Sequence, residues 1–232
     1  MVCRSLRQLQ TVGHWKILGQ QAALTREVIG GVPFRVLTVG RGWQRLHVRR
    51  LLRCLARQGV RTAVFEDAAW QAAAARYGIR PVPVRALRLA KLEELLDCLC
   101  PALSGKTVRL CAGEDGGMAR QAAQVLAKRA RYIELAPPGQ TALAQWLLAR
   151  YGVAAGSGGQ PPAATVWCGT ADRASAGPAI YLGEDCAARQ EVRYEAAGLA
   201  PWPVSEQLLA ALLAADGWEA SEIHVVSVVS RA

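Results

Sequence analysis

The sequence has no asparagine. Its 232 residues include only four lysines, three histidines, two phenylalanines and two methionines. No stretch approaches the roughly 18–20 consecutive apolar residues that a membrane-spanning helix needs, so none is expected. The first twenty residues, MVCRSLRQLQTVGHWKILGQ, carry early charge but lack the continuous apolar run of a secretory leader. A cytoplasmic protein is the resulting expectation. The seven cysteines are odd in number and irregularly spaced, and no CxxC pair occurs among them. Reduced thiols fit that pattern better than a disulfide framework. With His14, His47 and His224 as the only histidines, a structural zinc site is not expected. GxSxG, HExxH and GxxxxGK[ST] are also absent, which removes three well-defined catalytic or phosphate-binding devices.

Acid is scarce in one place. Residues 1–60 hold 11 basic residues and a single acid, Glu27, whereas residues 61–232 hold 17 of each sign. The whole net charge of +10 therefore lies in the first quarter of the chain. Arginine supplies 24 of the 28 basic residues, as a GC-rich coding sequence would also produce, so not every arginine signals a function.

What is present is a globular composition, 52% apolar and 20% charged, long enough for one large domain or two small ones. Strand-like runs alternate with helix-like patterns. Strands are expected at 35–39, 61–66, 81–84, 107–112, 131–135, 164–168, 179–182, 191–194 and 222–229. Helices are expected at 43–58, 68–77, 87–100 with Leu92, Leu95, Leu96 and Leu99 on one face, 117–130, 140–151 and 205–215 with Ser205 as its N-cap. Strands separated by helices imply parallel pairing with right-handed crossovers. The expected class is α/β: a three-layer, Rossmann-like, doubly wound and mostly parallel sheet with an antiparallel C-terminal edge. Residues 1–34 are expected as a basic, partly helical extension and 35–232 as a single domain. That domain divides into pseudo-repeat halves at about 35–86 and 107–160, completed by 161–232. The halves close alike, on Arg76-Tyr77-Gly78-Ile79 and Arg150-Tyr151-Gly152-Val153. Glycine followed by an apolar residue is also an ordinary helix stop.

Two glycine turns sit where dinucleotide-binding folds place a phosphate loop, a likeness at fold level only. The first, Gly40-Arg41-Gly42-Trp43-Gln44-Arg45, puts Arg45 where GxGxxG needs a small residue, and Trp43 crowds the approach. Glu66 and Asp67 stand at the end of the next strand, where an acid meets a ribose. The second turn, Gly113-Glu114-Asp115-Gly116-Gly117-Met118-Ala119, reads GxxGGxA. It leads into a helix whose free amides and positive dipole end suit an anion. Glu134 is expected to end the following strand, 21 residues after Gly113, at the spacing of a ribose-binding acid. The candidate cofactor-binding residues are therefore Gly113, Gly116, Gly117, Ala119 and Glu134, with NAD or NADP the cofactors to consider. Glu114 and Asp115 would repel a pyrophosphate, and acids also favour helix N-termini for the dipole alone.

Helix 43–58 carries Arg45, Arg49, Arg53 and Arg57 every four residues, with Arg50 widening the stripe. Val48, Leu51, Leu52 and Leu55 form its opposite, core-facing side. The ridge suits an anionic partner: nucleic acid, an anionic membrane surface or an acidic protein. It also suits a plain solvated helix face. His14 and Trp15 could add stacking to a nucleic-acid surface. Cys111 and Cys168 end two strands on the ligand-binding edge, where a thiolate nucleophile would need a neighbouring base. A buried, inert thiol is the commoner outcome. Asp172, Arg173, Glu184 and Asp185 follow later strands as polar turns. Three functions stay open on these residues. They are a nucleotide or small-metabolite site at the carboxyl edge (for an enzyme, nicotinamide-dependent redox chemistry), a non-catalytic interaction protein with degenerate phosphate loops, and nucleic-acid binding through the arginine helix.

Overall fold

A computed structural model describes residues 2–3, 13–17, 20–39, 45–65, 68–103, 105–113, 116–156, 161–169, 177–183, 185–200 and 202–230. In chain order its elements are β1 (Val2–Cys3), β2 (Gly13–Ile17), β3 (Gln20–Ile29), β4 (Val32–Val39), α1 (Arg45–Arg57), β5 (Thr62–Val64), α2 (Ala68–Ala75), β6 (Arg80–Pro81), α3 (Arg85–Ala90), α4 (Leu92–Leu99), β7 (Thr107–Cys111), α5 (Gly116–Ala127), β8 (Tyr132–Ala136), α6 (Thr141–Tyr151), β9 (Ala154–Gly156), β10 (Ala164–Trp167), β11 (Ala179–Tyr181), α7 (Cys186–Arg189), β12 (Gln190–Ala196), α8 (Glu206–Leu213) and β13 (Ile223–Ser230). The chain divides into two compact units. One is Met1–Pro83 with Ala197–Glu219, and the other Val84–Ala196 with Ala220–Ala232.

The first unit is built on a six-stranded sheet of order β2-β3-β4-β1-β5-β6. Every neighbouring pair is antiparallel except β5 and β6. The segment expected as a partly helical extension is strand or hairpin turn wherever it is described, and the expected boundary at residue 34 falls inside β4. The cause is a hairpin. Gly30 and Gly31 both have positive φ, 52° and 79°, as the tight two-residue turns of twisted hairpins require. Parallel pairing of 35–39 with 61–66 does not occur, because β1 lies between β4 and β5 and pairs antiparallel with both. The expected strand 81–84 shrinks to two residues, since its prolines remove ladder donors. Leu37, Leu52, Leu55, Val60, Ala63 and Ile79 form the buried core. The returning helix α8 is capped by Ser205, whose hydroxyl accepts from the Leu208 amide at 3.2 Å. Gln207 Oε1 then accepts from the Phe65 amide at 2.9 Å, tying that helix to the end of β5.

The second unit contains a five-stranded, fully parallel sheet of order β11-β10-β7-β8-β9. The chain enters at the centre, winds outward through β8 and β9, then returns to the other side for β10 and β11. That is the doubly wound, Rossmann-like order, with its reversal between β7 and β10. One face of the sheet is wholly apolar: Val108, Leu110, Ile133, Leu135, Val166 and Ile180 are all buried. Helix α5 packs on β7 and β8, and α6 packs on α5 and β9. Both RYG closings are left-handed glycine stops, Gly78 at φ 73° and Gly152 at φ 67°.

The helix expected over 87–100 is broken at Lys91 into α3 and α4. Arg88 on α3 is fully buried. Its guanidinium donates to the carbonyls of Tyr181, Cys186 and Gln190 at 3.1, 3.1 and 2.9 Å, fixing the turn by which the chain leaves the parallel sheet. Accordingly β12 and β13 are not the expected antiparallel edge of that sheet. They form a separate two-stranded ribbon. Glu94 on α4 anchors the ribbon by accepting from the Val225 amide at 2.9 Å. Among the described residues no helix is long and apolar enough to cross a membrane.

Candidate functional site

The carboxyl edge of the parallel sheet is where this topology opens a crevice, because the loops after β7 and β10 depart in opposite directions. Here they remain in contact beyond the strands. The Cys168 amide donates to the Cys111 carbonyl at 2.9 Å, extending the ladder by one step. Gly113 and Gly169 then meet backbone to backbone, and a Cβ on Gly113 would stand 2.5 Å from the Cα of Gly169. A Cβ on Gly183, in the loop after β11, would stand 2.5 Å from the carbonyl oxygen of Gly169. Glycines in three successive loops thus allow the close approach. Gly113 was legible in the sequence; Gly169 and Gly183 were not singled out there. The signal that could have found them is positional, since each is the first glycine after a parallel strand.

The other predicted residues divide by position. Gly116 and Gly117 open helix α5 and are exposed, and a Cβ on Gly116 would meet nothing within 4 Å. Ala119 is buried on the core side of α5, so it permits close packing of the helix. Glu134 does not end its strand. β8 runs on through Leu135 and Ala136, and Glu134 is its third residue, 8% exposed. Its Oε1 pairs with Arg109 Nη2 at 3.0 Å, between residues in register on β7 and β8. Its Oε2 is buried with no hydrogen-bond partner, and so is Nε1 of Trp167 at the end of β10. Arg109, Cys111, Glu134, Thr165 and Trp167 alternate onto the same sheet face, opposite the apolar one. This face therefore presents an unused acceptor and an unused donor, at an energetic cost that a bound polar group would relieve.

Cys111 is not an activated nucleophile. Burial pushes its thiol up to about 11; Arg109 pulls the value down and Glu134 pushes it up. The folded chain thus keeps a proton that the unfolded chain gives up at a thiol's ordinary pKa near 9.0. Stability from this group is complete below pH 9 and is lost as pH rises toward 11. Wild type is expected to lose about 2–3 kcal/mol more than Cys111→Ala between pH 8.5 and pH 11, read from urea midpoints at each pH. Equal losses would show that the buried thiol is not responsible.

Cys168 is also buried, Cys98 is exposed, and His224 stands exposed on the ribbon strand β13. Among the described residues no cluster of histidine, cysteine and carboxylates could hold a metal ion. The first glycine turn, 40–44, lies outside the described residues, as do Glu66, Asp67, Glu114, Asp115, Asp172, Arg173 and Glu184. Asp185 is described and pairs with Arg189 one helical turn on.

No protein-family model matches the chain, and no curated protein is significantly similar to it. Several solved structures overlap it in part, two of which follow. One is L-tryptophan dehydrogenase from Nostoc punctiforme, 11% identical, covering 64% of this chain and 49% of that one at a TM-score of 0.33. The other is a candidate aspartate carbamoyltransferase from Trypanosoma cruzi, 16% identical, covering 55% and 48% at a TM-score of 0.25. The overlap spans about half the length of each of those chains and carries no argument about activity. The strand order of the second unit itself establishes the class, a Rossmann-like α/β fold with a parallel sheet flanked by helices.

Proposed function

We propose that the second unit binds a phosphate-bearing small ligand, a nucleotide in the first instance, at the carboxyl edge between the loops after β7 and β10. The observation that carries this reading is Gly116. A glycine inside a helix costs roughly 0.5–1 kcal/mol relative to alanine, and part of that cost applies to Gly116 as the first residue of α5. Neither conformation nor packing accounts for that cost here: its φ is not left-handed, and a Cβ would stand in open space. Local rules broken without internal compensation are expected at functional sites. Two adjacent exposed glycines at the start of α5 let an anion approach the free amides and the positive dipole end. Gly113 supplies the tight root of the loop, Ala119 the close packing of the helix, and Glu134 an oriented carboxylate whose Oε2 can accept from a ligand hydroxyl. NAD and NADP are the first ligands to test. The competing reading, binding without chemistry, is favoured by Cys111, whose thiol stays protonated at neutral pH.

Gly116→Ala is expected to raise stability by a few tenths of a kcal/mol in urea melts, because Gly116 opens α5 and only part of the helix-interior gain applies at its first residue. Gly116→Trp is expected to fold and to lose ligand binding. In a thermal-shift assay with NAD, NADP, ATP and S-adenosylmethionine, a ligand at about a hundred times its Kd adds roughly 2.7 kcal/mol. At this chain length that is a rise of roughly 5–11 °C. No rise with any of the four, or a rise unchanged by Gly116→Trp, would overturn the reading.

A further inference from the structure

Among the described residues arginine ion pairs lie in the second unit, although Arg120, Arg131 and Arg150 there have none. In the second unit Arg109, Arg129, Arg189 and Arg193 all have carboxylate partners. In the first unit Arg49, Arg53, Arg57, Arg61, Arg76 and Arg80 are all exposed, and among the described residues none has one. That unit has 14 basic and 6 acidic residues, a net +8, and the second has 14 and 12, a net +2.

Topology gathers these side chains at one place. Helix α1 leads into β5, so its last residue, Arg57, and the following Arg61 lie at the amino end of that strand. Helix α2 leads into β6 in the same sense, which puts Arg76 and Arg80 at the amino end of the neighbouring parallel strand. The Arg80 amide donates to the Arg61 carbonyl at 2.9 Å, joining the two points. Arg53, one turn back on α1, lies over the Tyr77 ring at 5.9 Å. Five arginines, two on α1, one just after α2 and two at the starts of β5 and β6, thus belong to the amino edge of these strands. Helix C-termini attract cations, but two of them supply only about −0.5 charge each. Roughly four positive charges remain without a counter-charge from the described residues.

We propose that this amino-edge cluster, Arg53, Arg57, Arg61, Arg76 and Arg80, with Arg49 extending it along α1, binds the phosphodiester backbone of a nucleic acid without reading its sequence. The surface is all arginine, whose planar fork matches phosphate oxygens two at a time. Its spread over several elements suits a linear array of phosphates better than a single anion. A bilayer is the poorer occupant, because the apolar side of α1 is committed to the core through Leu52 and Leu55 and leaves nothing to insert. The site belongs to the first unit, and its test needs no ligand in the second.

The test is fluorescence anisotropy of the full chain with a labelled single strand and a labelled duplex across a salt series. With four to five phosphates contacted, log K is expected to fall with log salt at a slope of about −4. That is a loss of roughly 10²–10³-fold between about 50 and 200 mM. Arg53→Gln/Arg57→Gln/Arg76→Gln is expected to flatten the slope by about three and to weaken binding at low salt at least tenfold. These side chains are exposed, so the variant keeps the wild-type melting temperature to within a few degrees. Lys128→Gln/Arg131→Gln/Arg150→Gln makes the same change of charge on exposed positions of the second unit and is expected to bind like wild type. Equal losses in the two triple variants would overturn the site in favour of net charge. No binding at low salt would overturn it outright. Binding to phosphatidylserine vesicles but to neither oligonucleotide, or displacement by polyglutamate as readily as by unlabelled DNA, would reassign the surface.

Discussion

Arg88→Ala is expected to destabilise the second unit by about 3–5 kcal/mol, more than any other single substitution considered for it. Arg88 is fully buried, and so is Gln190, whose Nε2 donates to the Ala179 carbonyl at 2.7 Å while its own carbonyl accepts from Arg88. One guanidinium therefore satisfies acceptors on β11, α7 and β12 at once. Removing it takes the guanidinium donor from the carbonyls of Tyr181 and Gln190 and leaves the Cys186 carbonyl only the Gln190 amide, and a buried polar group left unpaired costs about 1–3 kcal/mol. The cavity left by so large a side chain adds to that. The expected fall in melting temperature is roughly 6–20 °C. Arg88→Lys is expected to recover little, because one ammonium cannot occupy the positions of both Nη1 and Nη2. Arg88→Met keeps most of the volume and separates the two causes. If it matches Ala, the stranded carbonyls dominate; if it approaches wild type, packing does. A loss under 1 kcal/mol for Arg88→Ala would contradict the network itself.

Arg88 also marks how far the sequence could be read. The helix stripe Leu92, Leu95, Leu96 and Leu99 was legible because its spacing is local. Nothing local says that an arginine five residues before Glu93 is a buried cross-link to a loop about a hundred residues away. The same contrast runs through the fold. Helices α1, α5, α6 and α8 fall within a few residues of their expected spans; an apolar stripe sets α1 and α5, and the Ser205 cap with a run of buried residues sets α8. Strands 107–112, 131–135, 164–168 and 179–182 recur as β7, β8, β10 and β11, because short apolar runs between helices leave few other assignments. Pairing was less legible. Strand-to-strand contacts are non-local, and no pattern in 35–66 announces that two residues at the N-terminus, Val2 and Cys3, will separate β4 from β5. The hairpin at Gly30-Gly31 was an exception. Its two glycines between alternating apolar residues carry a turn signal that the weight of basic charge in that segment obscured.

At the candidate site the position of the glycines was readable and their purposes were not. Spacing alone made Glu134 a strand-end acid. The strand continues because Leu135 belongs to the same buried face as Ile133, and this draws Glu134 back into the sheet beside Arg109. Gly113 and Gly116 looked equivalent in a GxxGGxA pattern. Three residues apart, they answer to opposite physics, and substituting each by alanine separates them.

Gly113→Ala is expected to cost about 2–3 kcal/mol, where Gly116→Ala stabilises. The new methyl would meet Gly169 Cα at 2.5 Å and Gly169 N at 2.8 Å. Both are backbone atoms, so no rotamer relieves the clash, and the loops after β7 and β10 must part by about an ångström. Parting them strains the hydrogen bond from the Cys168 amide to the Cys111 carbonyl and opens the root of the crevice. The melting temperature should fall by roughly 4–12 °C. Gly169→Ala meets the same contact from the other side, with Gly113 Cα at 2.8 Å, and should cost a similar amount. Once one methyl has forced the loops apart, the second finds room already made. The double variant should therefore lose clearly less than the sum of the singles, with a coupling of about 1 kcal/mol or more. Strict additivity, or a neutral Gly113→Ala, would mean that the loops at the strand-order reversal do not touch. The carboxyl edge would then be open to its root, and a ligand phosphate could sit directly over β7 rather than forward on α5.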